Sequence, residues 1–509
     1  MDWLPDEVSR SEIAIHDRDR IIRWGELVRA VNRGANWLLR EDLGPDRRVA
    51  IFAENSAETA MAYLACLLGG ASAVPVSFHL SADEAAYILA DSNAATVFVG
   101  PENVRVGTEA AAAAAAVRHV VGWGPVEGSA PGFIPWEQFL AEEDDASPPG
   151  DVHPRPNLMY TSGTTGRPKG TALPTSMFAP GDTVEDYLGG LRIAQPFARW
   201  GMHLVAGPLY HTGPMTAVRL LAAGKPLSLI GRFDAQRALA AIAADHVEST
   251  VMVPTHFIRL LSLPDDVRAR YDVSSLKLVA QTGAACPLDV KLAMIEWWGP
   301  VFLEAYGATE VGTICQISSK EWLSHRGSVG RCLPRFEPLV VDDEGAPVPV
   351  GTDGTLYFRD LTGRGIVYHN DVEKSLAAHL EPGVFTIGEI GHVDADGYVY
   401  ITDRLSDMVV SGGVNLYPAE SEAVLLQHPA VADVAVIGIP HPEMGEQLKA
   451  LVVSADPAAP PTEDELVAFC RDRLSSLKCP RSVDIVESVG RNSAGKVNKR
   501  ELRNAYLEQ

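Results

Sequence analysis

A chain of 509 residues is too long for one simple core and points to two to four folding units at ~150 residues each. Its 46% apolar and 21% charged residues are an ordinary globular balance, which excludes disorder as the main theme. The formal net charge of −23 repels nucleic acid and anionic membranes alike, so an anionic ligand must be gripped locally, by backbone N–H groups, a metal and a few placed cations.

The acidic N-terminus, MDWLPDEVSR, has no apolar core and does not read as a secretory signal. Six scattered cysteines without a C-x-x-C pair fit neither a zinc framework nor a disulfide scaffold, so a reducing cytoplasm is the expected location. Residues 48–53 (RVAIFA) predict a strand, 57–69 a helix of small residues, and 72–76 and 95–99 further strands. Strands separated by helix-length segments imply parallel βαβ units. Ala110–Ala116 is far short of the ~20 residues that span a bilayer and reads as a surface helix. The acidic, proline-rich stretch 142–156 is a loop, and the apolar run 158–160 follows it. Strands are expected again near 203–207, 227–230, 249–253 and 276–280. Between 337 and 400 the runs PLVVD, GTLYFR, GIVYHN and YVYIT, separated by Gly and Asp turns, suggest a small antiparallel or barrel-like subdomain. Beyond about 404 the pattern returns to mixed α/β, with helices at 418–427 and 462–476 and strands at 433–438 and 449–453.

The most informative stretch is 160–170, YTSGTTGRPKG. Its glycines let backbone N–H groups converge on an anion, its hydroxyls donate to phosphate oxygens, and Lys169 adds a charge. It is not a Walker loop, because Gly163 is followed by Gly166 and Lys169 by Gly170, which disfavours a P-loop kinase or GTPase.

YTSGTTGRPKG resembles the phosphate-loop signature of the adenylate-forming superfamily: acyl-CoA synthetases, firefly-type luciferases and peptide-synthetase adenylation domains. Further signatures follow in the expected order, namely PLYHTG at 208–213, QTGAACP at 281–287, YGATE at 306–310, DGYVYITDR at 396–404, SGGVNLYPAE at 411–420 and NSAGKVNKRELR at 492–503. PTHFIRLL and MIEWWGP look most like bacterial stand-alone fatty-acyl and related CoA ligases. The resemblance implies an α/β fold in which residues 1–403 form a large N-terminal domain of parallel βαβ layers with the small β-barrel-like subdomain. Residues 404–509 would then form a small, mobile α+β C-terminal domain.

It further implies that a carboxylic acid attacks the α-phosphorus of ATP, aided by magnesium. Thr161, Ser162, Gly163, Thr164, Thr165, Gly166 and Lys169 are expected on the phosphates, and Glu310 with Thr165 or Thr161 on the metal. Gly283, Ala284 and Ala285 would border the adenine and Tyr306 stack on it, with Gly307, Ala308 and Thr309 completing the nucleotide site. Glu389 stands in T-I-G-E where the family has the aspartate of T-G-D that binds the ribose hydroxyls, and Arg404 keeps the family pattern. Lys496 resembles the C-terminal catalytic lysine; alone, its basic neighbourhood of Lys499, Arg500 and Arg503 would read as a solvated tail. His211 resembles the residue that orients the acid, whose pocket is expected to include Ala280, Gly307, Val311, Gly312 and Thr313. These small or apolar residues favour a fatty, aromatic or polycyclic acid over an amino acid.

In the family the C-terminal domain rotates after adenylation, with Ser406 at the expected hinge where Lys or Asp is more usual. Ser411, Gly412 and Gly413 resemble the segment lining the pantetheine tunnel, so CoA is the leading acceptor for what is expected to be a stand-alone ligase. Transfer to a carrier-protein thiol or an amine is the alternative reading, and a nucleotide-binding pseudoenzyme a third. A homodimer is compatible with all three.

Overall fold

The computed structural model describes residues 2–124, 132–161, 168–194, 196–342, 344–411, 414–442, 444–492 and 495–507. Strands Arg48–Phe52 and Thr96–Val99 are rich in β-branched and aromatic residues and almost entirely buried, as strands covered on both faces must be. They form the middle of a five-stranded sheet, all parallel, in the order Ser72–Pro75, Arg48–Phe52, Thr96–Val99, His119–Gly122, Phe133–Pro135. Helix Ala57–Leu68 is capped by Ser56, whose hydroxyl accepts the Thr59 amide at 3.2 Å, and is buried on nearly every side. Its small side chains permit that close approach. Helix Val104–Ala113 takes in only the first four residues of the alanine run 110–116, turning Ala110 and Ala111 inward and leaving the next two exposed, and the run ends beyond it in a turn.

A second, larger sheet begins with parallel strands, among them His203–Val205, Leu227–Leu229, Ser249–Met252, Leu278–Gln281 and Phe302–Ala308. At Phe302–Ala308 it turns antiparallel, through Gly312–Ser318 and Ser328–Cys332. Strand Ser328–Cys332 also pairs with Val399–Arg404, and so joins the large sheet to antiparallel strands Phe336–Val341, Gly354–Asp360 and Val384–Val393. Three of the four runs expected there are strands. The fourth, GIVYHN at 365–370, is neither strand nor helix. Its backbone bonds go elsewhere: the His369 amide donates to Gly170 O at 2.7 Å and the Tyr368 amide to the Ser375 hydroxyl at 2.9 Å. The run is a strap laid along strand Lys169–Ala172.

After Arg404 the chain enters a separate five-stranded sheet containing Val409–Ser411, Val414–Leu416, Val431–His441, Gly445–Ser454 and Ser482–Ile485, with its own apolar cluster around Val436, Ala450 and Leu466. The two long strands exceed the expected 433–438 and 449–453 because they pair as a continuous hairpin from Val431 to Ser454. Helix Glu463–Arg471 is shorter than expected. All six cysteines are free. Among the described residues no helix is long and apolar enough to cross a membrane.

Candidate active site

Strands Leu158–Thr161 and Lys169–Ala172 form a two-stranded hairpin in which Thr161 faces Lys169. The hairpin holds the two ends of the glycine- and hydroxyl-rich loop; Ser162, Gly163, Thr164, Thr165 and Gly166 lie outside the described residues. At its base the Thr161 hydroxyl donates to Glu310 Oε1 at 3.0 Å. The Lys169 ammonium pairs with Asp371, which caps helix Val372–Ala377 by accepting the Lys374 amide at 3.0 Å.

Glu310 stands at the tip of the hairpin formed by Phe302–Ala308 and Gly312–Ser318. Two glycines build that tip. A Cβ on Gly307 would lie 2.0 Å from the Gly312 carbonyl oxygen, and Gly312 takes a φ of 76° that disfavours other residues. Arg364 fixes the outside of the turn, donating to the Glu310 carbonyl at 3.1 Å and to the Ala172 carbonyl at 2.9 Å. The Tyr368 hydroxyl adds a longer bond to the Glu310 carboxylate at 3.4 Å, and Thr212 donates to Thr309 at 3.4 Å. A carboxylate surrounded by hydroxyl oxygens is a hard donor set, which suits magnesium. Val311, expected in the acid pocket, is fully buried against the cluster of Ile314, Phe336 and Phe358 and lines neither the interdomain cleft nor the cavity beside helix Thr216–Ala222.

On the nucleoside side, Glu389 and Arg404 are directly opposed on neighbouring strands, with Arg404 Nε 4.0 Å from Glu389 Oε1. Burial pushes Glu389 up to about 7, against the opposing pull of Arg404 and Lys496. The Tyr306 hydroxyl is buried without a hydrogen-bond partner; burial first and Glu389 second keep its proton on. Gly283, Ala284, Ala285 and Arg404 line one interdomain cleft together with Lys496. Ala280 is buried with Phe197, Leu220 and Val251.

Lys496 reaches this cleft on a turn made by Asn492. The Asn492 amide donates to Lys496 O at 2.9 Å, and its side-chain oxygen accepts the Lys496 amide at 3.0 Å. Gly495, at φ 75°, completes the turn, and Arg491 braces it by donating to Gly495 O at 2.9 Å while paired with Asp433 at 2.7 Å. Burial lowers the Lys496 pKa, helped by Arg404 and opposed by Glu310 and Glu389. His211 is held neutral, pushed down to about 4 by burial and then by Lys496 and His79, and its buried Nε2 has no partner.

Thus Thr161, His211, Glu310, Glu389, Arg404 and Lys496, far apart in sequence, share one electrostatic neighbourhood. Ser411 does not join them: it is buried in the C-terminal sheet, and Gly412 and Gly413 lie outside the described residues. Ser406 is exposed between the two sheets and donates to Asp407 at 3.2 Å. Residues the sequence reading passed over are Tyr368, Arg364, Asp371, Asn492 and Thr255. Tyr368 was hidden inside an apparent strand, and Asn492 offered a turn signal three residues before Gly495.

The family model described as AMP-binding enzyme matches residues 6–363, and that described as AMP-binding enzyme C-terminal domain matches 420–496. A feruloyl-CoA synthase from Amycolatopsis is 32% identical over 500 residues, covering 97% of this chain and 96% of its own. ATP-bound MatB from Rhodopseudomonas palustris superposes with a TM-score of 0.81 at 27% identity, over 99% of this chain and 97% of its own. The amide bond synthetase McbA from Marinactinospora thermotolerans superposes with a TM-score of 0.80 at 26% identity, over 98% of both chains.

Proposed function

Since the chain belongs to the AMP-binding enzymes, we propose that it activates a carboxylic acid with ATP as an acyl-adenylate and passes the acyl group to CoA. The observation that carries this reading is the position of Lys496, turned into the cleft among Arg404, Glu310 and Glu389. The reaction brings together two anions, so its barrier is largely electrostatic, and preorganised positive charge is what lowers it.

The substrate carboxylate oxygen bonds to the α-phosphorus while the bond to the bridging oxygen of pyrophosphate breaks. The Lys496 ammonium spans the acid and the α-phosphate, where negative charge gathers. Neutral His211 offers its free Nε2 to the acid, and Arg404 and Glu389 hold the ribose side. Tyr306 supplies an aromatic face to the adenine. Thr161, Lys169 and the intervening loop take the β- and γ-phosphates, for which Lys169 exchanges its contact with Asp371. Magnesium, carried by Glu310 with a threonine hydroxyl, would neutralise phosphate charge.

For the second step the thiol sulfur attacks the acyl carbonyl carbon and AMP leaves, its phosphate taking the electron pair. The division at 403/404, with Ser406 as hinge and Ser411–Gly413 as the thiol approach, would expose the adenylate by rotation. Among the contacts that span that division, Asp403 accepts the Ala419 amide at 2.9 Å and the Leu405 amide donates to Gly388 O at 2.8 Å. The acid has an apolar body, since the side chains expected around it are small or apolar.

The test is a panel of alkanoic, aromatic and polycyclic acids assayed for pyrophosphate release, with CoA, an amine or neither present. Acid-dependent release that yields a thioester only with CoA is expected. Release with amide formation and no thioester would assign a different acceptor, and no acid-dependent release would overturn the reading.

A further inference from the structure

A second cavity, distinct from the interdomain cleft, runs into the N-terminal domain beside helix Thr216–Ala222. At one end it meets the reaction centre: Thr212 lines it and bonds Thr309, the residue before Glu310, and Leu173 lines it and packs near Gly312. Its body is apolar, with Leu67, Met159, Phe178, Met215 and Val218 among the walls. This is where the tail of an activated acid would extend.

The charge in this cavity is unusual for the chain. Against a net charge of −23, its lining contains two arginines, Arg155 and Arg219, and no aspartate or glutamate. Arg219 is the more telling. Its guanidinium donates to the Thr216 hydroxyl at 2.8 Å and lies 4.1 Å from the centre of the Phe178 ring. Among the described residues its buried Nε has no hydrogen-bond partner and no carboxylate pairs with the guanidinium. Burial lowers its pKa, yet a guanidinium keeps its proton in a protein. A half-buried guanidinium whose enclosed Nε–H is unpaired, with one neutral hydroxyl and an aromatic face against it, gains from an anion that joins it. In a ligand cavity, that anion is supplied by the ligand.

We propose that the acid this enzyme activates is a dicarboxylate, whose second carboxylate is bound by Arg219 while the first reacts. This rests on the adenylate-forming reading and deepens it. The reacting carboxylate bonds to phosphorus and pyrophosphate leaves; the other stays ionised and unchanged. A planar guanidinium with a free Nε–H suits a carboxylate, which accepts two parallel hydrogen bonds. The apolar walls between Arg219 and Thr212 call for a hydrocarbon or aromatic spacer.

The experiment compares acids of matched skeleton, hexanoate with adipate and benzoate with terephthalate, within a series of linear dicarboxylates of increasing length. Pyrophosphate release gives kcat/KM, and thermal unfolding without ATP gives binding. For the dicarboxylate of fitting length, a preference of about 10- to 100-fold over its monocarboxylate is expected, the scale of a charge-assisted hydrogen bond. Arg219→Met should abolish that ratio and the thermal shift, and Arg219→Lys should keep part of both. Preference for monocarboxylates at every length, or a ratio that Arg219→Met leaves unchanged, overturns the proposal. If Arg219→Met does not fold, the wild-type series and Arg219→Lys decide. Arg219-dependent dicarboxylate binding without any pyrophosphate release would sink the adenylation reading and leave the anion site standing; release from monocarboxylates alone would do the reverse.

Discussion

Gly495 backs directly onto Thr255: a Cβ at 495 would lie 2.8 Å from the Thr255 methyl carbon, at a backbone φ of 75°. The turn that carries Lys496 is therefore seated against the N-terminal domain at the residue next to the lysine. Gly495→Ala is expected to meet both obstacles, with about 1–2 kcal/mol from the left-handed backbone alone. Because the clash exists only when the turn is seated, it should lower pyrophosphate release more than it lowers Tm. Lys496→Ala leaves the seating intact and removes the ammonium, at an expected cost of about 2–4 kcal/mol in adenylation. Because the Lys496 side chain is exposed, that variant should unfold at about the same temperature as the parent. Unchanged pyrophosphate release in Lys496→Ala would remove the lysine from the mechanism.

The bond from Thr161 to Glu310 leads to a prediction about metal dependence. Thr161→Ala strips the Glu310 carboxylate of its shorter hydroxyl contact and leaves, among the described residues, that of Tyr368 at 3.4 Å. The magnesium concentration that gives half-maximal pyrophosphate release should rise about 5- to 30-fold, the scale of one lost polar contact at about 1–2 kcal/mol. Glu310→Gln, which keeps the shape and loses the charge, should raise it further. A magnesium titration that superposes on wild type for both variants would detach this pair from the metal.

These residues were legible to different degrees, and the reason is physical. Thr161, Glu310, Arg404 and Lys496 sit in strings whose order matches the family's, so they could be singled out without coordinates. Buried parallel strands such as Arg48–Phe52 carry an apolar run that local sequence displays directly. The strap at 365–370 has the same β-branched and aromatic composition, but its backbone partners are Gly170 and the Ser375 side chain. Such pairing is tertiary and leaves no periodic trace. Val311 was misplaced for a similar reason, since a hairpin tip alternates faces and the local string does not say which face is core. Arg219 follows LYHTG by only a few residues, yet the absence of a carboxylate from its cavity among the described residues depends on segments distant in sequence, such as 63–67, 155–159 and 173–178.

Glu389 introduces a pH dependence. Burial holds its folded pKa at about 7, above the ordinary carboxylate value of 4.5. The folded state thus binds this proton more tightly than the unfolded one. The resulting stability is fully present below the unfolded value and is lost as pH rises through about 7. Thermal unfolding followed between these limits should show wild type losing stability relative to Glu389→Gln as pH increases, with the difference flat above. Function runs the other way. Accepting ribose hydroxyl bonds favours the carboxylate, so the KM for ATP should fall as pH is raised through the same midpoint. Glu389→Asp should tighten or preserve ATP binding; a strong loss would show the site to be shaped around the longer side chain. A KM for ATP that is flat with pH would separate Glu389 from the ribose.

The last prediction concerns the floor beneath the nucleotide segment. Lys291, on helix Leu288–Trp298 just after Gly283–Ala285, pairs with Glu304 on strand Phe302–Ala308, and both are buried. The ammonium also lies 4.5 Å from the centre of the Trp322 ring. Burial raises the Glu304 pKa, and Lys291 is what opposes it. Lys291→Met keeps most of the volume but strands the carboxylate, which should cost about 3–5 kcal/mol in urea unfolding near neutral pH. The double variant Lys291→Met with Glu304→Gln removes both charges and should recover much of that loss, because the penalty belongs to the unpaired charge and not to the missing pair. As pH falls, the stranded Glu304 takes up a proton in the folded state before it would in the unfolded one. The single variant should therefore regain stability relative to wild type on acidification, while the double variant should not change with it. Additive losses in the double variant, independent of pH, would mean that packing around Lys291 and not its charge holds this floor in place.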